Sequence, residues 1–96
     1  MSVLVKPSAM IQQCPTPVTE GNNATLFCNA TGYPVPNIVW INASSGNLVS
    51  RTKTLRITAI TRSESGNYTC HASNEIGNDT QPCEIDVYCK LHLLIY

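Results

Sequence analysis

Cysteine is the densest reactive chemistry in this chain. Five of the 96 residues are cysteines, at Cys14, Cys28, Cys70, Cys83 and Cys89. Two chemistries compete for them: oxidation to disulfides and metal ligation. Metal sites built on cysteine need close pairs and supporting histidines. No C-x-x-C pair occurs, and His71 and His92 do not stand at ligand spacing to the cysteines. No metal and no cofactor is implied. Disulfide chemistry remains, and it places the chain in an oxidising compartment.

A second chemistry is carried by asparagine. Asn23-Ala24-Thr25, Asn29-Ala30-Thr31, Asn42-Ala43-Ser44, Asn67-Tyr68-Thr69 and Asn78-Asp79-Thr80 all read N-x-[ST] without proline. An average composition gives roughly one such triplet per couple of hundred residues. Asn23, Asn29, Asn42, Asn67 and Asn78 are therefore candidate glycosylation sites. Catalysis finds no support. The sequence has no G-x-S-x-G elbow, glycine-rich phosphate loop or H-E-x-x-H, and we expect no enzyme here.

Composition bounds the remaining choices. Ninety-six residues is the size of one domain. Six basic and six acidic side chains cancel, and no basic patch is expected, so nucleic acid is not a partner. Met1 to Gln13 lacks a basic start followed by a sustained apolar run. No segment is long enough to span a bilayer. These features read as a piece of a larger extracellular chain, reaching a membrane only through a part outside this sequence.

The elements that must position these residues are strands. Thr25 to Ala30 alternates, with Leu26, Cys28 and Ala30 on one face. Gly32-Tyr33-Pro34-Val35-Pro36 is a stiff connector. Ile38 to Ile41 follows, then a polar turn over Asn42 to Asn47, then a strand over Lys53 to Ile60 with Leu55 and Ile57 inward. Tyr68, Cys70 and Ala72 share one face of the next strand. Cys83 to Val87 is the last strand, with Cys83, Ile85 and Val87 inward. Pro15 and Pro17 put Gln12 to Pro17 on an edge. Val3 to Pro7 is either the first strand or, over residues 1–6, the tail of a preceding domain. Residues 7–88 form the domain proper, and 89–96 is a divergent apolar tail.

Cys28, Trp40, Tyr68 and Cys70, with Ser65-Gly66-Asn67-Tyr68-Thr69-Cys70 around the second cysteine, resemble the immunoglobulin superfamily. Ala30 to Trp40 resembles the A-x-G-x-P-x-P-x-x-x-W stretch of intermediate-type domains in adhesion molecules. Ala72 to Gly77 resembles the family's A-x-N-x-x-G turn. The resemblance spans Pro15 to Val87. It implies an all-β, immunoglobulin-like Greek-key sandwich of about seven to eight short antiparallel strands. It also implies a Cys28–Cys70 bridge, with Trp40 packed on it and Tyr68 locking the corner. Glu64 stands where the family usually has aspartate, with Arg51 or Arg62 as candidate partners.

In that fold the first segment can pair with the last strand, which makes Cys14–Cys83 the favoured second bridge. Cys14–Cys89 is the rival, and reduced cysteines remain open. With Cys14–Cys83 formed, Cys89 is odd: an unpaired thiol, an intermolecular bond and a bond to a segment outside this sequence all stay open.

Three surfaces then compete for binding. One is the outward face of the sheet holding Trp40, Cys70 and the last strand, with Val39, Ile41, Thr69, His71, Glu84, Asp86 and Tyr88. Another is the opposite sheet, with Phe27, Asn29, Arg56 and Thr58. The last is the loop end from Asn74 to Asp79. The implied function is an extracellular protein-binding module of a cell-adhesion molecule or cell-surface receptor. Its implied partner is another extracellular domain, immunoglobulin-like or not, with homophilic contact open. The alternative is a structural spacer in a secreted matrix or tandem-immunoglobulin protein.

Overall fold

The computed structural model describes residues 3–89. Met1, Ser2 and residues 90–96, which hold most of the expected apolar tail, lie outside the described residues. In chain order the strands are β1 (Val5–Gln13), β2 (Val18–Thr19), β3 (Ala24–Tyr33), β4 (Asn37–Asn42), β5 (Leu48–Ser50), β6 (Thr54–Ile57), β7 (Gly66–Ser73), β8 (Asn78–Ile85) and β9 (Val87–Tyr88). A 3₁₀ turn, Arg62–Glu64, leads into β7.

Two sheets face each other. One has the order β1-β3-β6 and the other β5-β4-β7-β8. All pairings within them are antiparallel. Among the described residues the single parallel pair is β2 with β9. The chain therefore forms the expected all-β immunoglobulin-like sandwich. The nine strands among the described residues exceed the expected number because both terminal strands split. Pro15 and Pro17 interrupt the first strand, and β2 then crosses to the other sheet's margin. At the far end Asp86 separates β8 from β9. Its N–H donates to Thr16 Oγ1 (3.0 Å) and its carbonyl accepts from Val18 (2.9 Å).

Period-2 alternation fills the space between the sheets. Leu26 and Cys28 from β3, Trp40 from β4, Cys70 from β7 and Ile85 from β8 are fully buried. Ile38, Leu55, Ile57, Tyr68, Ala72 and Cys83 complete the layer. Among the described residues every buried side-chain nitrogen or oxygen has a partner. The expected strand over Lys53–Ile60 stops at Ile57. Ala59 turns the backbone into the left-handed region (φ 49°), and Asn23 Oδ1 holds its N–H at 3.0 Å. Ile60 still reaches the core, because its N–H and C=O are taken by Asn22 and Gly21.

The segment between β4 and β6 holds one strand that the sequence pattern did not show. Asn42 Oδ1 accepts from Ser44 and Ser45, and Gly46 adopts φ 78°. That turn folds Leu48–Ser50 back against β4 as β5. The eleven residues from 43 to 53 leave room for this one short strand and not for two.

Candidate functional site

The reactive cysteines form the frame. Cys28 is bridged to Cys70 (S–S 2.01 Å) and Cys14 to Cys83 (S–S 2.00 Å). The first joins β3 to β7 across the core. The second ties the segment just after β1 to β8. Cys89 is half-buried. Trp40 donates from Nε1 to the carbonyl of Lys53 (2.9 Å). Tyr68 donates its hydroxyl to the carbonyl of Glu64 (2.6 Å), closing the corner below β7. Burial, reinforced by the nearby Glu64 carboxylate, raises the phenol above its ordinary value. Glu64 does not take Arg51 or Arg62 as partner among the described residues. Its Oε1 accepts from the N–H (2.8 Å) and the hydroxyl (3.1 Å) of Thr61.

The outer face of the second sheet gathers most of the residues marked as a binding face. Val39 lies directly opposite His71, and Ile41 opposite Thr69. Thr69 in turn faces Pro82, His71 faces Thr80, and Asn67 faces Glu84. Val39, Ile41, Thr69 and His71 are half-exposed, and Glu84 is exposed. Asp86 and Tyr88 are exposed but lie outside this sheet, in the break after β8 and on β9. Thr80 and Pro82 belong to the face and were not expected there. The last strand begins at Asn78, five residues before Cys83. Running the Cys83 alternation backward from its own position would have found them.

The glycan acceptors separate by place. Asn67 and Asn78 are exposed, near opposite ends of this outer face. Asn29 is half-buried on the outer face of β3, with its Oδ1 on the N–H of Ala30. Asn23 is exposed beside Ala59, and Asn42 ends β4. On the opposite sheet Phe27 is half-buried, while Arg56 and Thr58 are exposed.

The loop end from Asn74 to Asp79 is a tied structure. Asn74 donates from Nδ2 to the carbonyls of Val5 and Pro34 (both 2.9 Å) and accepts from Ile76 and Gly77. Gly32 sits in the same packing at φ 150°. A Cβ there would stand 3.2 Å from Val5 O and from Pro7 Cα. Three strand ends are thereby locked together, and large apolar side chains crown them. Val3, Leu4, Val5, Tyr33 and Val35 are five of the nine exposed large hydrophobics among the described residues.

The family follows from matching this architecture to known proteins. A family model described as immunoglobulin domain matches residues 6–74. The chain belongs to the immunoglobulin domain family. It is similar to the limbic system-associated membrane protein of Gallus gallus, 40% identical over 63 residues, which cover 64% of this chain and 19% of that protein. It is similar also to a peroxidasin homolog of Mus musculus, 36% identical over 78 residues, covering 74% of this chain and 5% of that protein. The full ectodomain (Ig1–Ig3) of mouse nectin-like molecule 4 superposes with a TM-score of 0.80 at 27% identity, covering 99% of this chain and 34% of that one. This immunoglobulin domain thus spans a small fraction of its curated relatives. It is of the kind found in adhesion and receptor ectodomains and in peroxidasin-like proteins.

Proposed function

We propose that this chain is an extracellular protein-binding module of a cell-adhesion molecule or cell-surface receptor, serving cell–cell or receptor–ligand recognition. The observation that carries the reading is the outer face of β4, β7 and β8. Val39 and Ile41 stand there beside His71 and Thr69 with no role in the core. Half-exposed aliphatics flanked by hydroxyls and an imidazole match the mixed character of recognition surfaces. Carbohydrate on Asn67 and Asn78 would flank this patch and leave its middle open. Similarity to adhesion proteins supports the same reading. The partner is another extracellular domain, with a second immunoglobulin-like domain favoured. The module runs over 7–88. The pairing of Val5 with Tyr33 supports taking Val5 and Lys6 as the start of the first strand.

Val39→Asp tests this. It places a charge at the middle of the face without touching the core. The expected result is loss of cell–cell or partner binding with an unchanged unfolding midpoint. Unchanged binding, together with a wild-type domain that stays monomeric in the ultracentrifuge at high concentration, would refute the reading.

One observation favours the spacer alternative. The crown of Val3, Leu4, Val5, Tyr33 and Val35 forms an apolar end on a rigid base. Contiguous apolar patches of a few hundred Å² mark contact sites, and an end-on patch suits docking to a neighbouring domain in an array. Val35→Asp separates the two readings: it disturbs domain–domain docking in a tandem protein and leaves binding through Val39 intact.

A further inference from the structure

The fold corrects one expectation from sequence, that the chain has no basic patch. Half of its six cations, Arg51, Lys53 and Arg56, fall within Arg51-Thr52-Lys53-Thr54-Leu55-Arg56. β5 is the end strand of one sheet and β6 the end strand of the other. Residues 51–53 therefore cross between the sheets along one side of the sandwich. Arg51, Lys53 and Arg56 are all exposed.

The backbone beneath these cations is pinned. Lys53 offers its carbonyl to Trp40 Nε1 and to the Cys28 N–H (both 2.9 Å). Ser50 Oγ and Thr52 Oγ1 both donate to the carbonyl of Thr54 (2.8 and 2.9 Å). Such preorganisation lowers the entropy lost on binding. Beside Arg56 the two sheets part in an open groove of about 360 Å³. Its wall includes Asn42, Arg56, Thr58 and Ser63.

The acids are elsewhere. Glu75, Asp79, Glu84 and Asp86 follow the β7–β8 turn and β8, on the opposite side of the sandwich. Glu20 lies after β2, next to β9, its N–H on the carbonyl of Tyr88. Glu64 alone lines the groove, and its carboxylate is held by Thr61. Arg51, Lys53 and Arg56 thus stand on the side away from most of the acids, while Lys6 lies beside Gly77 on the β8 side and Arg62 beside Val87 and Tyr88.

We propose that the side carrying Arg51, Lys53 and Arg56 is a binding site for a linear sulfated polysaccharide. The three cations span at most about 17 Å along the chain, so they suit a ligand with repeated anions along an extended backbone. Short basic runs of this kind read as sites for such polyanions. The hydroxyls of Thr58 and Ser63 on the groove supply partners for sugar hydroxyls. A second copy of this chain, docking its β8 side here, is the weaker occupant. Asp79 is occupied by the N–H of Ala9 (2.7 Å), and Pro82 interrupts the N–H row along β8. This site lies apart from the Val39 face, so either can fail without the other.

The test is surface plasmon resonance of the oxidised protein on immobilised heparin. Ser44→Ala is used as background, because it removes the glycan acceptor at Asn42 on the groove. Expected is binding at about 50 mM salt that weakens as salt is raised. Arg51→Glu with Arg56→Glu should reduce affinity about tenfold or more, while Glu84→Lys with Asp86→Lys should not reduce it. Both pairs are exposed, and intact Trp40 fluorescence confirms folding. No binding at low salt, equal binding to desulfated heparin, or wild-type affinity in the Arg51/Arg56 variant would overturn the proposal. So would salt-sensitive dimerisation that Glu84→Lys with Asp86→Lys abolishes, which would assign this side to a second copy.

Discussion

The two sides of the sandwich are closed by different chemistry. On the β1–β8 side a covalent bridge, Cys14–Cys83, joins the sheets. Asp79 Oδ2 adds a charge-assisted bond from the N–H of Ala9 (2.7 Å). On the β5–β6 side the ties are hydroxyl-to-carbonyl bonds from Ser50 and Thr52, plus the indole of Trp40 reaching Lys53. The groove opens there, with Arg56 on its wall. One side is closed by a covalent bond and carries acids; the other is closed by hydrogen bonds among neutral groups, beside an open groove. Recognition surfaces draw on the parts of a fold that stability does not consume.

Breaking the locked side should cost most. Cys14→Ala with Cys83→Ala opens a loop of 69 residues, and the chain-entropy estimate is about 4 kcal/mol. Guanidinium unfolding should show a large drop in midpoint. A change under about 1 kcal/mol would mean that the two sides do not differ in the way described. Asp79→Ala removes the charged acceptor while keeping the Asn78 sequon. It should cost about 2 kcal/mol, read in the same experiment.

Tyr68→Phe belongs to neither side and calibrates the scale. Losing its bond to Glu64 should cost about 1 kcal/mol. It also has a pH signature. The phenol's pKa is raised in the folded state. Its contribution is therefore full below the unfolded value of about 10 and is lost as pH rises through the raised folded value. Wild-type stability should fall above pH 10 more steeply than that of Tyr68→Phe, as followed by alkaline unfolding. Ser50→Ala, on the open side, should cost least, about 0.5 kcal/mol, because Thr52 Oγ1 still serves the same carbonyl. A loss as large as that of Asp79→Ala would erase the contrast.

The core between the sheets was legible in the sequence, as was the Cys14–Cys83 tie, and the open side was not. Cys28, Trp40, Tyr68 and Cys70 announce themselves by type and spacing. Alternation from them carries outward to Val39 and His71, because strand side chains repeat every two residues. That ruler fails where the backbone leaves the extended region. Ala59 ended β6 early, Asp86 broke the last strand, and the turn after Asn42 made β5. Each depends on a long-range partner, such as Asn23 for Ala59 or Thr16 for Asp86. The charge separation was hidden for a related reason. A net charge of zero says nothing about which side of a sheet each charge joins. Glu64 likewise resembles the family's acid by position, four residues before Tyr68, yet its carboxylate turns back to Thr61 while its own carbonyl closes the corner.

Native-state amide hydrogen exchange on the oxidised chain is the most direct test of the difference between the sides. It resolves both in one sample. The amides of β8 that point at β7, those of Gln81 and Cys83 by the alternation of the antiparallel ladder, should exchange only through global unfolding. Those of β5 and of the free edge of β6 should exchange through local opening at much lower free energy. Equal protection on both sides, or faster exchange in β8 than in β5, would contradict the account.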